Sequence, residues 1–286
     1  MYSPEFDYVR ANSVQEAIRL LGENSGAELL AGGHSLIPIM KLRQGSPPML
    51  VDIGRIKDLK GIQRKNGTTY IGALTTHAMV AMSDDLPMAL VDAANIIADR
   101  QVRNRGTVGG NVAHADPASD LPTVFTALGA TFHVMGLSGE RTIPATEFFK
   151  GMFESALAQG EVLTSVQITP EGEGNGSAYE KMANPASGYA MVGAAASVSV
   201  EDGKCTRASV AVGGLTPKPT KVPSVEKALM GSSLDEKSVE AAAKEIAKDL
   251  GEDLLGDMHA SADYRKAMAV VYLKRAIHKA AERASQ

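Results

Sequence analysis

Hydrophobic residues near the start of the chain recur with the spacing of one helix face. In SVQEAIRLLGEN they stand at i, i+3, i+4 and i+7, the positions of Val14, Ala17, Ile18 and Leu21. Ser13 precedes them with Glu16 three residues later, which is the capping-box pattern of a helix start. The runs AELLAGG and MLVDIG predict strands, and SLIPIMKLRQG between them predicts a turn and a short helix. Residues 1–55 are therefore predicted to form a compact α/β unit.

The middle of the chain, residues 56–175, continues this mixture of elements. The patterns predict strands for TTYIGAL, ATFHVMG and EVLTSVQITP, and helices for THAMVAM and LPMALVDAANIIA. The segment DRQVRNRGTVGGNVAHADPASDLPTVFTALGA predicts a long polar loop with glycines, followed by a helix. Loops of that length are usually functional.

A stretch rich in glycine and acidic residues, EGEGNGSA, predicts a domain boundary near residue 175. After it, the residues around Tyr179 and the runs YAMVGAAASVSV and CTRASVAVGGL predict a small antiparallel sheet, and the remainder predicts helices. On the last helix, SADYRKAMAVVYLKRAIHKAAERA, we expect one face to carry Tyr264, Ala267, Met268 and Val271. The sequence thus predicts an α+β protein with domains at 1–175 and 176–286.

Charge and cysteine content narrow the classes of partner. The net charge is −4 without a long basic run, which argues against a nucleic acid or an anionic membrane as partner. The single cysteine, Cys205, cannot form an internal disulfide or supply a cysteine-ligated iron–sulfur cluster or structural zinc site, and we expect an ordinary strand residue there. No signal peptide or membrane-length apolar run is evident, so the sequence predicts a cytoplasmic protein.

The segment Ala31–Ser35, AGGHS, lies between a predicted strand and a helix start. Glycine adopts positive φ and lets a ligand approach the backbone, so successive N–H groups and the helix start could bind a diphosphate. The spacing differs from G-x-G-x-x-G, and a nicotinamide dinucleotide fingerprint is therefore absent. Taken alone, the segment favours a tight turn that binds no ligand, because most Gly-Gly segments at strand ends are only that.

A second glycine motif, TVGGN at Thr107–Asn111, is followed by the polar segment DPASDLP. Asp120 in that segment could accept a hydrogen bond from a ligand hydroxyl. Alternatively, Ser119 and Asp120 could simply cap the next helix. The motif by itself favours the helix cap.

Taken together and in order, AGGHS, RGTVGGN and DPASDLP resemble the flavin-binding medium subunit of the molybdenum hydroxylases. That family includes aerobic carbon monoxide dehydrogenase and the xanthine dehydrogenase and aldehyde oxidase relatives, and LAGGHSLIPIMKLR is most similar to the carbon monoxide dehydrogenase type. The resemblance covers essentially the whole chain, from FDYVRANSVQEAIRLL through YEKM to DYRKAMAVVYLKRAI. It implies a xanthine dehydrogenase-like (PCMH-type) FAD-binding fold, with α/β subdomains at about 1–55 and 56–175 and a C-terminal domain of antiparallel sheet and helices.

The resemblance also assigns residues to the cofactor, FAD. These are Ala31, Gly32, Gly33, His34, Ser35, Leu36, Thr107, Gly110, Asn111, His114, Asp120, Leu163, Lys181 and Tyr189. The first six would bind the pyrophosphate, and Asp120 the sugar part. Leu163 and Tyr189 would lie beside the flavin, and Lys181 at its pyrimidine edge. Lys181 could instead be a solvated strand lysine and Tyr189 a sheet-face aromatic. We expect non-covalent FAD, with His34 lining the turn, and neither catalytic residues nor a metal site in this chain.

The function implied by the resemblance is electron transfer. The chain would pass electrons from a small subunit with 2Fe–2S clusters to an external acceptor, while a large subunit carries the molybdenum cofactor, in a dimer of heterotrimers. The alternatives are a self-contained FAD-dependent reductase or oxidase and a non-redox diphosphate-binding module. MANPASGYAMVG lacks the basic cluster and aspartate of many carbon monoxide-oxidising members, which puts that substrate in doubt. The sequence specifies neither the substrate nor the acceptor, nor whether the isolated chain retains FAD.

Overall fold

The computed structural model describes residues 2–286, which begin with a small parallel α/β unit. Its elements are β1 (Asp7–Arg10), α1 (Val14–Glu23), β2 (Glu28–Leu30), α2 (Leu36–Lys41) and β3 (Met49–Asp52). The strand order is β1-β3-β2, and both pairs are parallel. The apolar face of α1 is buried as predicted, and Ser13 caps the helix by accepting the N–H of Glu16 at 3.1 Å. The Glu16 carboxylate accepts from the N–H of Asn12 at 2.8 Å.

The middle region is built on a five-stranded antiparallel sheet of order β4-β5-β10-β6-β7. A 3-10 turn, Lys57–Leu59, leads into it. The strands are β4 (Ile62–Lys65), β5 (Thr68–Gly72), β6 (Thr131–Gly136), β7 (Gly139–Pro144), β8 (Phe149–Gly151), β9 (Glu154–Ser155) and β10 (Val162–Ile168). The helices are α3 (His77–Ala81), α4 (Met88–Ile96), α5 (Arg100–Arg105), α6 (Val108–His114), α7 (Asp120–Ala127) and α8 (Ala145–Phe148). A small hairpin of β8 and β9 lies outside the main sheet.

The prediction of a long polar loop before α7 is wrong, because α5 and α6 occupy most of that segment. Each of these short helices has a side-chain cap. Asp99 Oδ1 accepts from the N–H of Val102 at 2.8 Å, and Thr107 Oγ1 accepts from the N–H of Gly110 at 3.1 Å. The two helices are too short for apolar periodicity to reveal, and contacts with distant parts of the chain stabilise them.

The C-terminal region contains the predicted antiparallel sheet, of order β11-β12-β13-β14. Its strands are β11 (Asn175–Ala183), β12 (Ala190–Glu201), β13 (Lys204–Gly213) and β14 (Thr220–Lys221). Its helices are α9 (Pro223–Leu229), α10 (Glu236–Lys244) and α11 (Ala262–Ala284), with a 3-10 turn at Glu245–Lys248. Cys205 is a buried residue of β13, as expected.

The prediction of which face of α11 is buried is wrong. Tyr264 and Val271 are 51% and 37% exposed, and Ala267 is also exposed. The buried face instead carries Arg265, Ala269, Leu273, Ala276, Ile277 and Ala280. This face is rich in alanine because α11 lies very close to the sheet: a Cβ added at Gly176 would come within 2.2 Å of the Ala280 carbonyl oxygen. Large side chains do not fit in so narrow a space.

The hydrophobic core lies in three clusters, one for each region. The middle cluster contains contacting aromatic rings, with Phe132 and Phe148 centroids 4.5 Å apart. It also includes Tyr179 and Ala195 from the C-terminal sheet, so the second and third regions pack together. The division at residue 175 stays a prediction. Within residues 2–286, no helix is long and apolar enough to cross a membrane.

Candidate functional site

The first glycine segment forms the turn between β2 and α2, as the sequence predicts. Gly33 has a φ of +75°, which favours glycine, and His34 Nδ1 lies 2.9 Å from the Gly32 carbonyl oxygen. Gly32 is required for a different reason. A Cβ there would lie 2.2 Å from the carbonyl oxygen of Arg105 and 3.0 Å from Cα of Gly106. The first turn therefore lies directly against the segment that leads into the second motif.

The second motif is the start of α6 and not part of a loop. Thr107 caps the helix, and Gly109 lies so close to the residue that follows β5 that an added Cβ would be 2.5 Å from Cβ of Ala73. The N–H of Gly109 also donates to the Ala73 carbonyl oxygen at 2.8 Å. Gly110 faces the cap, and a Cβ there would be 2.8 Å from Thr107 Oγ1. Close packing thus accounts for Gly109, a residue that the sequence interpretation did not assign to the site.

A cleft of about 640 Å³ runs between the two motifs and the loop that leads into β12. It brings together every residue that the resemblance assigned to the cofactor except Lys181. The predicted residues in its lining are Ala31, Gly32, Gly33, His34, Ser35, Leu36, Thr107, Gly110, Asn111, His114, Asp120, Leu163 and Tyr189. The sequence interpretation missed other lining residues, among them Ala73, His77, Ile97, Gly106, Ala113, Ser119, Leu157, Glu161 and Gly188.

Lys181 lies behind the wall of the cleft. Its side chain is 2% exposed, and Nζ donates to Asp120 at 3.0 Å and to the carbonyl oxygens of Ile96 and Gly188 at 2.9 and 2.8 Å. Lys181 is therefore not a solvated strand lysine. Its ammonium group is also not free to face a flavin ring in the cleft. Because these three partners saturate the ammonium group, Lys181 fixes the end of α4, the loop before β12 and the start of α7 relative to one another.

Asp120 is a buried carboxylate with two partners. It accepts from the Tyr179 hydroxyl at 2.7 Å and from Lys181 Nζ, so it does more than begin α7. Burial raises the pKa of Asp120 above its ordinary value, while the Lys181 charge and the hydrogen bonds oppose that change. Burial, followed by the Asp120 charge, raises the pKa of Tyr179 well above 10, so this hydroxyl stays protonated and acts as a donor.

Three of the predicted residues form the walls at the end of the cleft next to the loop before β12. Leu163 is a buried residue of β10, and Tyr189 is 43% exposed at the end of the loop before β12. Burial raises the pKa of Tyr189, with further contributions from Asp116 and Asp120, so its phenol is neutral. The His114 ring lies at the end of α6, with its centroid 5.2 Å from that of Phe153. This end of the cleft therefore offers aromatic and apolar surface to a ligand.

Asn111 supplies a polar feature that a ligand could satisfy. Its amide Nδ2 donates to Ser119 Oγ at 3.1 Å, while Oδ1 is buried and accepts no hydrogen bond from residues 2–286. Unsatisfied buried acceptors are uncommon in native proteins. A hydroxyl or ring N–H in the cleft would provide the missing donor. This arrangement fits the ribityl chain or ring of FAD.

A second cavity, of about 590 Å³, lies against the same first turn. Four basic residues line it: Arg10, Lys41, Arg55 and Arg105. One acidic residue, Asp52, lies among them, at 3.6 Å from Arg10. The turn at 30–34 thus separates the main cleft from a predominantly positive space, although the chain as a whole has a charge of −4. This concentration of positive charge is favourable to a diphosphate held at the turn.

The paired glycine motifs, the unsatisfied Asn111 acceptor and the aromatic end define the cleft of a flavin-binding protein. Residues 4–170 match the family described as the FAD binding domain in molybdopterin dehydrogenase. Residues 177–280 match the CO dehydrogenase flavoprotein C-terminal domain. The chain belongs to the FAD-binding medium subunits of the molybdenum hydroxylases, a family of oxidoreductases.

Relatives of the chain match along nearly its full length. It is 39% identical to subunit alpha of the 6-hydroxypseudooxynicotine dehydrogenase complex of Paenarthrobacter nicotinovorans, with 99% of this chain and 97% of the relative covered. It is 38% identical to the carbon monoxide dehydrogenase medium chain of Hydrogenophaga pseudoflava, with 98% of each covered. A solved structure of carbon monoxide dehydrogenase from that organism, lacking the Mo-pyranopterin moiety, has a TM-score of 0.94 over 99% of each chain. The family, the fold class and the FAD cofactor predicted from the sequence are confirmed.

Proposed function

We propose that this chain binds one FAD non-covalently in the main cleft and acts as an electron-transfer subunit. It receives electrons from the 2Fe–2S clusters of a small subunit and passes them to an external acceptor. A large subunit with the molybdenum cofactor oxidises the substrate, and two such heterotrimers associate. The main support is the cleft itself, which gathers the two glycine motifs, the Asn111 acceptor and the Tyr189 wall in one space.

Bound FAD would supply the redox chemistry, accepting and releasing electrons, while the protein supplies binding and orientation. The turn at Gly33 and the start of α6 would hold the pyrophosphate and sugar. Asn111 Oδ1 would accept a hydrogen bond from the cofactor. Leu163 and Tyr189 would shield the ring from water. Lys181 acts indirectly, because it fixes Asp120 and the Gly188 backbone in the wall.

The division of labour between subunits follows from ligand chemistry. A 2Fe–2S cluster needs four protein ligands, normally cysteines, and this chain has one cysteine, which is buried. The clusters must therefore be carried by another chain. The substrate is chosen by the large subunit, and the loop Asn184–Gly188, which lacks charged residues, gives no support to carbon monoxide in particular.

The first experiment is a titration of the purified apo chain with FAD, followed by quenching of flavin fluorescence. We expect saturation at one FAD per chain. The affinity should rise when the molybdenum and iron–sulfur subunits are added, because a partner that docks on the FAD-bound form stabilises it. Failure to bind FAD in either state would favour a module that binds another diphosphate.

The second experiment measures turnover with an artificial dye and aldehydes, purines or carbon monoxide. The isolated chain with FAD should give almost no activity, and addition of the two partner subunits should restore it with at least one substrate. Robust oxidation by the chain alone would contradict electron transfer and favour a self-contained reductase or oxidase.

A further inference from the structure

His77 is a cleft residue that the family motifs do not include. It begins α3, and its backbone N–H donates to the Gly106 carbonyl oxygen at 3.1 Å. Its ring lies over Gly106, where an added Cβ would be 2.7 Å from Cδ2 and 2.9 Å from Nε2. Both His77 and Gly106 line the main cleft. Since Gly106 also touches Gly32, the imidazole lies at the junction of the two glycine motifs.

The two ring nitrogens of His77 have different surroundings. Nδ1 is fully enclosed and has no hydrogen-bond partner among residues 2–286. The residue as a whole is 3% exposed, and the ring edge with Nε2 faces Gly106. Burial, with the positive charges of His34 and Arg103, lowers the pKa of His77 to about 4, so the ring is neutral at pH 7.

A neutral imidazole carries one N–H, and the environment decides which nitrogen bears it. A proton on Nδ1 would be an enclosed donor without an acceptor. An unpaired acceptor is more readily tolerated than an orphaned N–H. The enclosed nitrogen is therefore Nδ1 without a proton, and the proton lies on Nε2, at the edge toward Gly106.

We propose that His77 is a further cofactor-binding residue, whose neutral Nε2–H donates a hydrogen bond to a phosphate or ribityl oxygen of FAD at the junction of the two glycine motifs. This inference rests on the proposed function, because it requires FAD in the main cleft. A neutral donor positions an oxygen acceptor without adding a positive charge beside the basic cavity on the other side of the turn.

Three variants of His77 distinguish the role of Nε2 in FAD binding from that of Nδ1. His77→Gln places an amide N–H near the position of Nε2, His77→Asn places one near Nδ1, and His77→Phe keeps a ring without any donor. We expect the Gln variant to bind FAD within about threefold of the wild-type chain, and the Asn and Phe variants to bind at least about tenfold more weakly. Circular dichroism and thermal melting check folding. If the Phe variant does not fold, the Gln and Asn variants still decide the question.

Two binding results would overturn the inference. One is wild-type FAD affinity in His77→Phe, and the other is equal affinity in the Gln and Asn variants. Nitrogen-15 NMR of the imidazole is an independent test that needs no activity: the free chain should show the Nε2–H tautomer, and FAD should shift that proton. An Nδ1–H tautomer contradicts the inference. Failure of the wild-type chain to bind FAD, both alone and with the partner subunits, contradicts the proposed function instead, so the two failures are distinguishable.

Discussion

At the scale of single residues, Gly32 lies where the two glycine motifs touch. The family resemblance assigns Gly32 to the pyrophosphate of FAD. The structure adds that its lack of a Cβ lets the Arg105 backbone approach, a contact between distant parts of the chain. Such a requirement has no local signature. Gly109, His77 and the paired side chain of Lys181 were missed or misplaced for the same reason.

Gly32→Ala tests whether this contact builds the cleft. The new Cβ would overlap the Arg105 carbonyl oxygen at 2.2 Å and force the two motifs apart. We expect the dissociation constant for FAD to rise at least about tenfold, which corresponds to roughly 1.4 kcal/mol. Gly22→Ala is the matched control, because its Cβ would meet only Leu137 at an ordinary 3.7 Å. Unchanged FAD affinity in Gly32→Ala would show that the motifs do not need this contact.

Lys181→Met tests the buried ion pair. Removal of the cation leaves the Asp120 carboxylate buried beside Tyr179, and we expect the free energy of unfolding to fall by about 3–5 kcal/mol. The double variant with Asp120→Asn should regain part of this loss, because it removes the uncompensated charge. Urea denaturation gives the values, with Lys204→Met, an exposed strand lysine, as control. Equal losses in Lys181→Met and Lys204→Met would contradict a structural role for the pair.

At the scale of elements, α1 and α11 show when apolar periodicity predicts the buried face of a helix correctly. The face of α1 is formed mostly by large apolar residues next to a polar surface, so its spacing predicts burial correctly. The buried face of α11 consists largely of alanine, whereas the predicted face carries the larger but exposed Tyr264 and Val271. The reason is the approach of α11 to Gly176 on β11, which no pattern within the helix reveals.

The contact between α4 and α11 depends on Asp92. Its carboxylate accepts from both Nη atoms of Arg283, at 2.6 and 3.0 Å, and lies 3.2 Å from Lys279 Nζ. Burial raises the pKa of Asp92, but the Arg283 hydrogen bonds and charge outweigh it, and the net pKa lies below its ordinary 3.8. Asp92 thus joins the middle region to the last helix.

Asp92→Asn should lower the free energy of unfolding by about 1.5–3 kcal/mol at pH 7, the range for hydrogen bonds to charged groups. Because the folded pKa is depressed, this stabilisation is present above pH 3.8 and is lost as the pH falls through the folded pKa. Urea denaturation at pH 7 and near pH 3 should therefore show a difference that shrinks in acid. Asp84→Asn, at an exposed position, is the control. A difference that stays constant with pH would exclude ionisation of Asp92 as its source.

At the scale of the whole molecule, the cleft is formed by all three regions. The first contributes the turn at Gly33, the second contributes α6 and Leu163, and the third contributes Tyr189. The order of motifs in the sequence, through the family resemblance, identified nearly all of these residues. Their convergence on one space, and the basic cavity behind the turn, depend on packing between regions and could not be obtained from the sequence alone.

Non-covalent binding of FAD can be tested by whether acid releases the flavin from the intact chain. The lone thiol lies elsewhere, in β13, and His34 Nδ1 lies within hydrogen-bond distance of the Gly32 carbonyl oxygen. Acid precipitation of the FAD-loaded protein should therefore release all flavin into the supernatant, as measured by its absorbance. A precipitate that stays yellow after washing would indicate a covalent bond.

Because Cys205 is buried, thiol-reactive probes should not label the native chain, and cysteines introduced elsewhere can be labelled selectively. This thiol is 1% exposed, and burial raises its pKa, so thiol-reactive probes have neither access nor thiolate. Cysteines introduced at Leu137 and Met258, which are 81% and 93% exposed, would each accept a spin label or fluorophore while the native thiol is retained. Distances between such labels could then follow how the regions move when FAD or the partner subunits are added.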